Sequence, residues 1–347
     1  MRGLMKTARG VGNLELREVP DPRPGPGEIL VEVAAAGICG SDVHIKHDSA
    51  YYMPPVILGH EYSGRVVEVG EGVEHLRVGD EVVGPATAYC GQCYHCKTGH
   101  MNRCTAPDKR ILGVARANGA FARYVVAPEY IAHKVPQGLS LEEAALAEPT
   151  ACVVHTLVES TPIKPGDTVL VQGPGTTGLI SVQVAKAMGA AKVIVTGVSS
   201  DHWRLDIAEK LGADLTIDVQ AHNDAVEIIR EYTDGVGADV VVEASGAGPA
   251  RRQAFEFVKV TGYIALIGLQ GRPIEINMDD IVTKELHVLG TWGTLPSTWV
   301  TTLRMMASRQ INVRPLITHR LPLAEWKRGF ELMESQKAIK VLFTDMN

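Results

Sequence analysis

Residues 164–197 read KPGDTVLVQGPGTTGLISVQVAKAMGAAKVIVTG and predict a strand, a glycine-rich turn, a helix and a second strand. The turn contains Gly-x-Gly-x-x-Gly at Gly173, Gly175 and Gly178, which between a strand and a helix is a dinucleotide-binding fingerprint. The first glycine allows a tight turn, the second lets the backbone approach a pyrophosphate, and the third lets the helix pack on the strand. The N-terminus of the helix, which includes Thr177, offers N–H groups to the phosphates. We therefore predict a βαβ unit that binds a dinucleotide.

The two halves of the chain differ in their hydrophobic pattern. From Pro165 onward, short β-branched runs alternate with helical stretches of about 10–15 residues, which is typical of a parallel doubly wound sheet. Before about residue 150, short alternating runs are separated by Gly and Pro turns, as in a small β barrel or sandwich. A length of 347 residues fits two domains. The predicted fold class is α/β, with a β-rich domain and a doubly wound domain.

The strand after the fingerprint helix lacks the acid that commonly holds the adenosine ribose. This strand ends at Gly197, and the nearest acid is Asp201. A missing acid makes room for a 2′-phosphate and favours NADP, but Ser199 is followed by no arginine before Arg204. Asp201 can also reach the ribose if the loop folds back. We predict that these four residues bind the cofactor, with NAD slightly favoured over NADP.

Four of the six cysteines lie close together in the segment PATAYCGQCYHCKTGHMNRC. Their spacing is Cys90-x2-Cys93-x2-Cys96-x7-Cys104, and the segment is nearly free of large aliphatic residues. Such a segment cannot build its own core, whereas four thiolates can close a tetrahedral shell around zinc and order the loop. We predict a structural zinc site; an iron–sulfur cluster is the competing metal, and unliganded thiols are the third possibility.

A second group of metal-binding residue types is spread over three segments. One thiolate, one imidazole and one or two carboxylates make an incomplete shell that leaves a position for water or substrate, as catalytic zinc requires. We therefore predict two zinc ions per chain, one structural and one catalytic. The segments GICGSDVH, PVILGHEYSG and ALAEPTACVVHT supply Cys39, Ser41, Asp42, His44, His60, Glu61, Glu148 and Cys152.

The charge balance excludes some classes of partner. The formal charge is −6, so the chain offers no overall attraction to nucleic acid or anionic membranes. No apolar run approaches the ~20 residues that span a bilayer, and the N-terminal residues lack the apolar core of a secretory signal. We expect a cytoplasmic protein with a small-molecule substrate, no membrane partner and no nucleic-acid partner.

Taken together, these motifs resemble those of the zinc-dependent medium-chain dehydrogenase/reductase family, which includes sorbitol, butanediol, threonine and alcohol dehydrogenases. The shared order is Cys-Gly-Ser-Asp-x-His, Gly-His-Glu, Gly79-Asp80, the four-cysteine lobe, Glu-Pro and the dinucleotide fingerprint. The resemblance implies a GroES-like catalytic domain from residues 1–150 and 291–347, with a Rossmann domain at 151–290. It also implies a homo-oligomer, either a dimer or a tetramer.

The resemblance implies a role for each residue of the second group. Cys39 and His60 correspond to catalytic zinc ligands, and Glu61 to a ligand or near-ligand that exchanges with water. Glu148 corresponds to the glutamate that polyol and threonine dehydrogenases keep at the metal. Alcohol dehydrogenases instead use a cysteine about one turn later, where this chain has Cys152. Either residue can complete the shell, and Glu148 is favoured because the Glu-Pro pair matches the polyol pattern.

Two further residues, Ser41 and His44, correspond to the proton relay of the family. The implied function is hydride transfer between a polyol or other secondary alcohol and NAD(P)+, with a threonine 3-dehydrogenase or a simple alcohol dehydrogenase as alternatives. Two hypotheses from other classes are a zinc-finger-like nucleic-acid module and a structural protein that has kept only the cofactor fold. The acidic charge argues against the first, and the presence of Cys39 and His60 argues against the second.

Overall fold

The structure is a computed structural model that describes residues 1–222 and 224–347. The chain forms two units, which we describe separately. The strands are β1 Arg2–Lys6, β2 Leu14–Glu18, β3 Glu28–Gly37, β4 Val56–Ile57, β5 Glu61–Val69, β6 Glu81–Val83, β7 Ile111–Leu112, β8 Arg116–Ala117, β9 Tyr124–Pro128, β10 His133–Lys134, β11 Thr168–Gln172, β12 Lys192–Gly197, β13 Leu215–Asp218, β14 Ala238–Glu243, β15 Val258–Leu266, β16 His287–Gly290, β17 Ile317–Pro322 and β18 Lys340–Asp345.

The helices are short in the first half of the chain and longer in the second. They are α1 Gly40–Lys46, α2 Tyr94–Lys97, α3 Leu141–Ala144, α4 Ala147–Val154, α5 Thr176–Ala187, α6 His202–Lys210, α7 Ala225–Tyr232, α8 Gly248–Phe257, α9 Asp279–Thr283, α10 Pro296–Ala307 and α11 Trp326–Glu334. A π-helical segment, His155–Ser160, follows α4 directly. Among the described residues, no helix has both the length and the apolarity needed to cross a bilayer.

The doubly wound unit comprises Thr150–Trp292 and Ser308–Asn312. Its six strands are parallel, in the order β13-β12-β11-β14-β15-β16. This is the order of dinucleotide-binding folds, in which the chain starts at the centre and winds outward in both directions. Every residue of β11 is buried, because helices cover both faces of a parallel sheet. The predicted doubly wound domain is therefore confirmed.

The β-rich unit comprises Met1–Pro149, Gly293–Ala307 and Val313–Asn347. Its main sheet has the order β10-β6-β5-β3-β18-β17, with β9 also paired to β3, and a smaller sheet has the order β2-β1-β4. The core between these strands is largely aliphatic, and Phe121 and Phe343 meet edge to face in it with ring centroids 5.1 Å apart. The predicted α/β class, with one β-rich and one doubly wound domain, is confirmed.

The pairing of strands β3 and β5 creates the geometry from which a site can be built. Gly37, at the end of β3, lies opposite Glu61, at the start of β5. The residues that follow β3 and the residues that precede β5 are therefore brought close together, because the two strands are antiparallel. Cys39 is the N-cap residue of α1, and His60 directly precedes β5.

Candidate active site

The four-cysteine lobe has the geometry of a tetrahedral thiolate site. The Sγ atoms of Cys90, Cys93, Cys96 and Cys104 all lie within 4.8 Å of one another, with 4.0 Å between Cys90 and Cys96 and between Cys93 and Cys104. A tetrahedron with zinc–sulfur bonds of about 2.3 Å has sulfur–sulfur edges of about 3.8 Å. The four side chains therefore fit zinc. Among residues 1–222 and 224–347, no other group of three or more potential ligands is packed this closely.

Backbone N–H groups in the lobe point at its sulfur atoms. The N–H groups of Gln92 and Cys93 donate to Cys90 Sγ at 3.4 and 3.3 Å. Backbone donors from Thr105 and Cys96 lower the pKa of Cys93 to about 5. Donors arranged in this way stabilise thiolates, which are the forms that bind zinc.

In the second group, His60 is held between Cys39 and Asp42. The imidazole Nε2 lies 3.2 Å from Ser41 Oγ, and the ring is in hydrogen-bonding contact with the Cys39 thiol. On the other side of the ring, Nδ1 lies 3.7 Å from Asp42 Oδ1, and neither atom has a hydrogen-bond partner among the described residues. Asp42 Oδ2 accepts the backbone N–H of Cys39 at 3.0 Å. Asp42 therefore anchors the backbone of Cys39 with one carboxylate oxygen and presents the other oxygen to Nδ1 of His60.

The charges around His60 favour its charged form. Burial lowers the pKa of His60, but the carboxylate of Asp42, followed by Cys39 and Glu148, outweighs burial and raises the pKa well above its ordinary value. Burial also raises the pKa of Asp42. A buried imidazole surrounded by thiol and carboxyl groups needs a positive charge to compensate them, and a divalent cation bound by Cys39 and His60 fits this environment. The donor set suits zinc.

The carboxylate of Glu61 faces a buried lysine. Lys340 Nζ, on β18, lies 2.8 and 2.6 Å from the two carboxylate oxygens of Glu61 and also donates to the carbonyl of Ile38 at 3.1 Å. Both side chains are almost fully buried. Lys340 therefore donates hydrogen bonds to both carboxylate oxygens of Glu61, the residue predicted to exchange with water at the metal. Sequence reasoning missed Lys340, which is 279 residues away from Glu61 along the chain.

The two candidates for the remaining ligand lie on one helix. Glu148 and Cys152 are four residues apart on α4. Burial raises the pKa of Glu148 to about 7, while His60 acts in the opposite direction and Glu61 reinforces the rise. This mutual influence places Glu148 in the electrostatic environment of His60 and Glu61, within the β-rich unit.

The two predicted relay residues both lie on α1. Ser41 Oγ contacts His60, as described above, and His44 follows three residues later on the same side of the helix. His44 Nδ1 lies 3.2 Å from Ser49 Oγ, which itself donates to the carbonyl of His44 at 3.1 Å. Because the Ser49 proton is used in that bond, its oxygen accepts the proton of Nδ1, and Nε2 of neutral His44 is left as the basic nitrogen.

The dinucleotide fingerprint adopts the conformation that the sequence predicts. Gly173 has a φ of +93°, and a Cβ there would lie 2.7 Å from the Cβ of Ser245. A Cβ on Gly178 would lie 1.9 Å from the carbonyl oxygen of Gly173, so only glycine fits. At Gly175, by contrast, no atom of the described residues other than its chain neighbours lies within 4 Å of the Cβ position. α5 begins immediately after it, with Thr177 in its first turn. The open position at the helix N-terminus fits a pyrophosphate.

Of the residues predicted to bind the ribose, Gly197 lies at a crowded strand end and Asp201 is buried. Around Gly197, a Cβ would lie 3.2–3.3 Å from Asp201, Leu205 and Pro174, so the strand end has little room for an acid. Asp201 is buried, where Oδ2 accepts the N–H of Val198 at 3.2 Å and Oδ1 pairs with Arg204 at 3.1 Å.

A second acid near this loop was not found by sequence reasoning. Asp218, at the end of β13, accepts the hydroxyl of Ser199 at 2.7 Å, and His202 Nε2 lies 3.6 Å from it. The hydrogen bond from Ser199 lowers the pKa of Asp218. An acid is expected at the end of β12, whereas this carboxylate lies at the end of the neighbouring strand β13.

Comparison with known proteins supports the same conclusion as the geometry. The family model for the alcohol dehydrogenase GroES-like domain matches residues 25–137, and the model for zinc-binding dehydrogenases matches residues 176–308. The chain belongs to the zinc-dependent medium-chain dehydrogenase family. The β-rich unit is thus GroES-like and the doubly wound unit is of the Rossmann type, as predicted. Membership of this family makes the chain a zinc-dependent oxidoreductase that acts on alcohols and uses a nicotinamide cofactor.

Individual members of the family match over the full length. Sorbitol dehydrogenase of Halalkalibacterium halodurans is 40% identical over 100% of both chains. L-threonine 3-dehydrogenase of Pyrococcus horikoshii is 39% identical, covering 99% of this chain and 98% of that protein. A zinc-binding dehydrogenase from Sinorhizobium meliloti, solved with NADP bound, has a TM-score of 0.91 at 34% identity and covers 99% of this chain and 98% of that one.

Proposed function

We propose that the chain oxidises a polyol or another secondary alcohol with NAD(P)+, at a zinc ion held by Cys39, His60 and Glu148. The observation that carries this proposal is the arrangement around His60, whose ring lies between Cys39 and the carboxylate of Asp42. A histidine that binds zinc through one nitrogen commonly presents its other nitrogen to a carboxylate. Here Asp42 faces Nδ1, so Nε2 is left for the metal.

Each residue of the site has a separate task in this proposal. When bound, zinc supplies Lewis acidity that makes an alcohol hydroxyl more acidic, and the nicotinamide accepts hydride from the carbinol carbon. Cys39, His60 and Glu148 hold the metal. Glu61, paired with Lys340, is kept beside the site as a carboxylate that can exchange with water. Its release from Lys340 is required for direct ligation, so we place Glu61 as a near-ligand in the state described here.

The hydroxyl proton leaves through α1. Ser41 Oγ lies 3.2 Å from Nε2 of His60 and relays the proton, accepting it while its own hydroxyl proton passes on toward His44. His44, one turn later and only half-buried, passes it to solvent through Nε2, the nitrogen that Ser49 leaves basic. The four cysteines of the lobe would hold a second, structural zinc ion, which makes the proposed content two ions per chain.

For the cofactor we favour NAD slightly over NADP. The fingerprint residues Gly173, Gly175, Thr177 and Gly178 receive the pyrophosphate, and Gly197 lies at the end of the strand that leads to the ribose loop. In that loop Ser199 donates to Asp218, and Asp201 pairs with Arg204 on α6. The Asp218 carboxylate behind Ser199 disfavours a 2′-phosphate by like charge. The NADP bound to the Sinorhizobium meliloti protein is the observation that favours the alternative.

The substrate alternatives are L-threonine and simple alcohols. The threonine dehydrogenase relatives keep this alternative open, while Cys152 on α4 keeps an alcohol-dehydrogenase-type metal shell open. We favour a polyol because of Glu148 and the match to sorbitol dehydrogenase.

We further propose a cytoplasmic homo-oligomer, either a dimer or a tetramer. β16 is the edge strand of the parallel sheet, and Val288 on it and Trp292 after it are 36% and 56% exposed. An exposed edge strand with apolar side chains is suited to pairing with a second copy of the chain.

The decisive experiment is a substrate panel. Sugar alcohols, diols, simple alcohols and threonine are assayed with NAD+ and with NADP+, and zinc is measured on the same preparation. We expect turnover of polyols, two zinc ions per chain, and loss of turnover in His60→Ala with cofactor binding retained. Turnover restricted to threonine or to primary alcohols would replace the polyol assignment by the corresponding alternative. Absence of zinc from active enzyme would remove the proposed mechanism.

A further inference from the structure

A fully buried carboxylate lies at the carboxyl end of β14, in the Rossmann-type unit. Glu243 Oε1 accepts hydrogen bonds from the backbone N–H and the hydroxyl of Ser245, at 2.9 and 2.6 Å, and from the N–H of Gly246 at 2.7 Å. Its main-chain carbonyl accepts the N–H groups of Ile267 and Gly268 at 2.9 and 3.0 Å. One residue therefore fixes the loop after β14 and the loop after β15.

The charge of Glu243 is compensated by Arg251 on α8. Arg251 Nε lies 3.3 Å from Glu243 Oε2, and its NH2 group donates to the carbonyl of Gly268 at 2.6 Å. The guanidinium thus joins the carboxylate to the same second loop. The side chains of Glu243 and Arg251 and the two loops therefore form one closed hydrogen-bonded network.

This hydrogen-bonded network packs directly against the dinucleotide fingerprint. A Cβ at Gly173 would lie 2.7 Å from Ser245 Cβ, and a Cβ at Gly268 would lie 2.3 Å from the backbone nitrogen of Gly246. A Cβ at Gly246, which has a φ of +70°, would lie 2.5 Å from the carbonyl oxygen of Leu269. Three loops therefore interlock at the carboxyl ends of β11, β14 and β15, the edge where open α/β sheets bind their ligands.

The stability of the fold alone does not account for this arrangement. Replacing a buried ion pair by apolar residues of similar volume is often neutral for stability, because burial costs a charge its hydration, and here Glu243 is fully buried. What the pair does provide is a fixed position for the loops next to Gly173, with directional bonds to named atoms. We propose that Glu243 and Arg251 are positioning residues for the dinucleotide, and that cofactor affinity depends on them although they lie outside the glycine fingerprint. This inference rests on the proposed use of NAD(P) by the chain.

The same strand offers a matched control. Asp239, near the opposite end of β14, accepts the N–H of Thr168 at 2.7 Å and pairs with Lys259. Like Glu243, Asp239 accepts a backbone N–H and pairs with a basic side chain. Unlike Glu243, it lies at the amino-terminal edge of the sheet. A purely structural contribution is common to both sites, whereas a contribution to cofactor binding belongs to Glu243 alone.

The test measures dissociation constants of NADH and NADPH for the full-length protein by nicotinamide fluorescence, together with the melting temperature, zinc content and kcat. We expect Glu243→Gln and Arg251→Met to weaken binding of the preferred cofactor by about 10-fold or more, with kcat at saturating cofactor and zinc content within about 3-fold of the parent. Asp239→Asn should lower the melting temperature and change the dissociation constant less than 2-fold.

Equal dissociation constants in Glu243→Gln, Arg251→Met and the parent would overturn the inference and leave the pair as a structural feature only. If Glu243→Gln does not fold, Arg251→Lys is decisive, because it keeps the positive charge but cannot reach Glu243 and Gly268 together; unchanged binding in that variant has the same meaning. Failure of the parent protein to bind either dinucleotide would instead refute the proposed function itself.

Discussion

Asp42 Oδ1 lies 3.7 Å from Nδ1 of His60, and neither of these buried atoms has a hydrogen-bond partner among the described residues. The same carboxylate uses its second oxygen to accept the N–H of Cys39. The relationship makes Asp42 the common support of two proposed zinc ligands. A metal bound at the proposed site would supply the charge that compensates this fully buried carboxylate.

We expect Asp42→Ala to lower the affinity for the catalytic zinc and the turnover by about 10–100-fold, because His60 loses the group that orients its ring. Asp42→Asn should be milder, since an amide oxygen can still accept from Nδ1–H. Zinc content by mass spectrometry and kcat provide the measurement, and NADH binding should be unchanged in both variants. Two zinc ions and full turnover in Asp42→Ala would contradict the orienting role.

Cys93→Ser should lower the melting temperature by several degrees and release one zinc ion. The lobe has almost no apolar side chains, so a missing thiolate removes most of what orders it. Cys39→Ser serves as the control, because it should abolish turnover while leaving the melting temperature nearly unchanged. The two zinc roles are reversed if Cys93→Ser loses only catalysis.

The third ligand of the catalytic site is tested by Glu148→Gln beside Cys152→Ser. We expect the glutamine variant to lose zinc and turnover, and the serine variant to keep both, because a carboxylate leaves the metal more able to polarise a hydroxyl than a second thiolate does. Zinc content and kcat are compared in parallel. The opposite result would make the site alcohol-dehydrogenase-like and end the polyol assignment.

Asp218→Asn should move the cofactor preference toward NADP. The carboxylate lies behind Ser199, so its removal takes away a negative charge near the loop predicted to meet the ribose. We expect binding of NADPH to tighten about 5- to 10-fold relative to NADH, an effect that weakens as salt is added. Dissociation constants at two ionic strengths check both parts. An unchanged ratio of the NADPH and NADH dissociation constants would mean that Asp218 does not contribute to the discrimination between the two cofactors.

Glu129 gives a pH-dependent prediction away from the metal sites. Burial raises its pKa, but the backbone N–H groups of His75, Glu74 and Leu76 outweigh burial and lower the pKa overall. A lowered pKa stabilises the fold at pH values above the unfolded value of about 4.3, and that stability is lost as the pH falls through the folded value.

Glu129→Gln should therefore lower the melting temperature at pH 7 and have little effect once the parent carboxylate is protonated. Thermal melts of both proteins between pH 7 and pH 3.5 provide the comparison. The exposed Glu68 on β5 supplies the control, and Glu68→Gln should behave as the parent at every pH. A Glu129→Gln deficit that is constant with pH would show that charge plays no part.

The parts of the site that local sequence determines were predicted, and the parts that depend on distant strands were not. The fingerprint turn at Gly173 and the four-cysteine lobe are each contained in a short segment, so residue type and spacing are sufficient to predict them. Lys340 could not be predicted as the partner of Glu61, because their contact depends on β18 pairing with β3. Asp218 was missed for a similar reason, since the register of β13 against β12 brings it to Ser199. Asp42 stood in the recognised motif, but only the structure reveals that it faces His60.

The position of β18 has a consequence for the order in which the chain acquires its structure during synthesis. β18 lies between β3 and β17, so the main sheet of the GroES-like unit needs residues 340–345, which leave the ribosome after the whole Rossmann-type unit. The Rossmann-type unit can therefore fold first. Until β18 is made, the end of β3 is unpaired on that side and Glu61 lacks the ammonium group of Lys340. Nascent chains arrested before residue 340 should present this unpaired edge of β3 to chaperones, although the whole Rossmann-type unit has already been made.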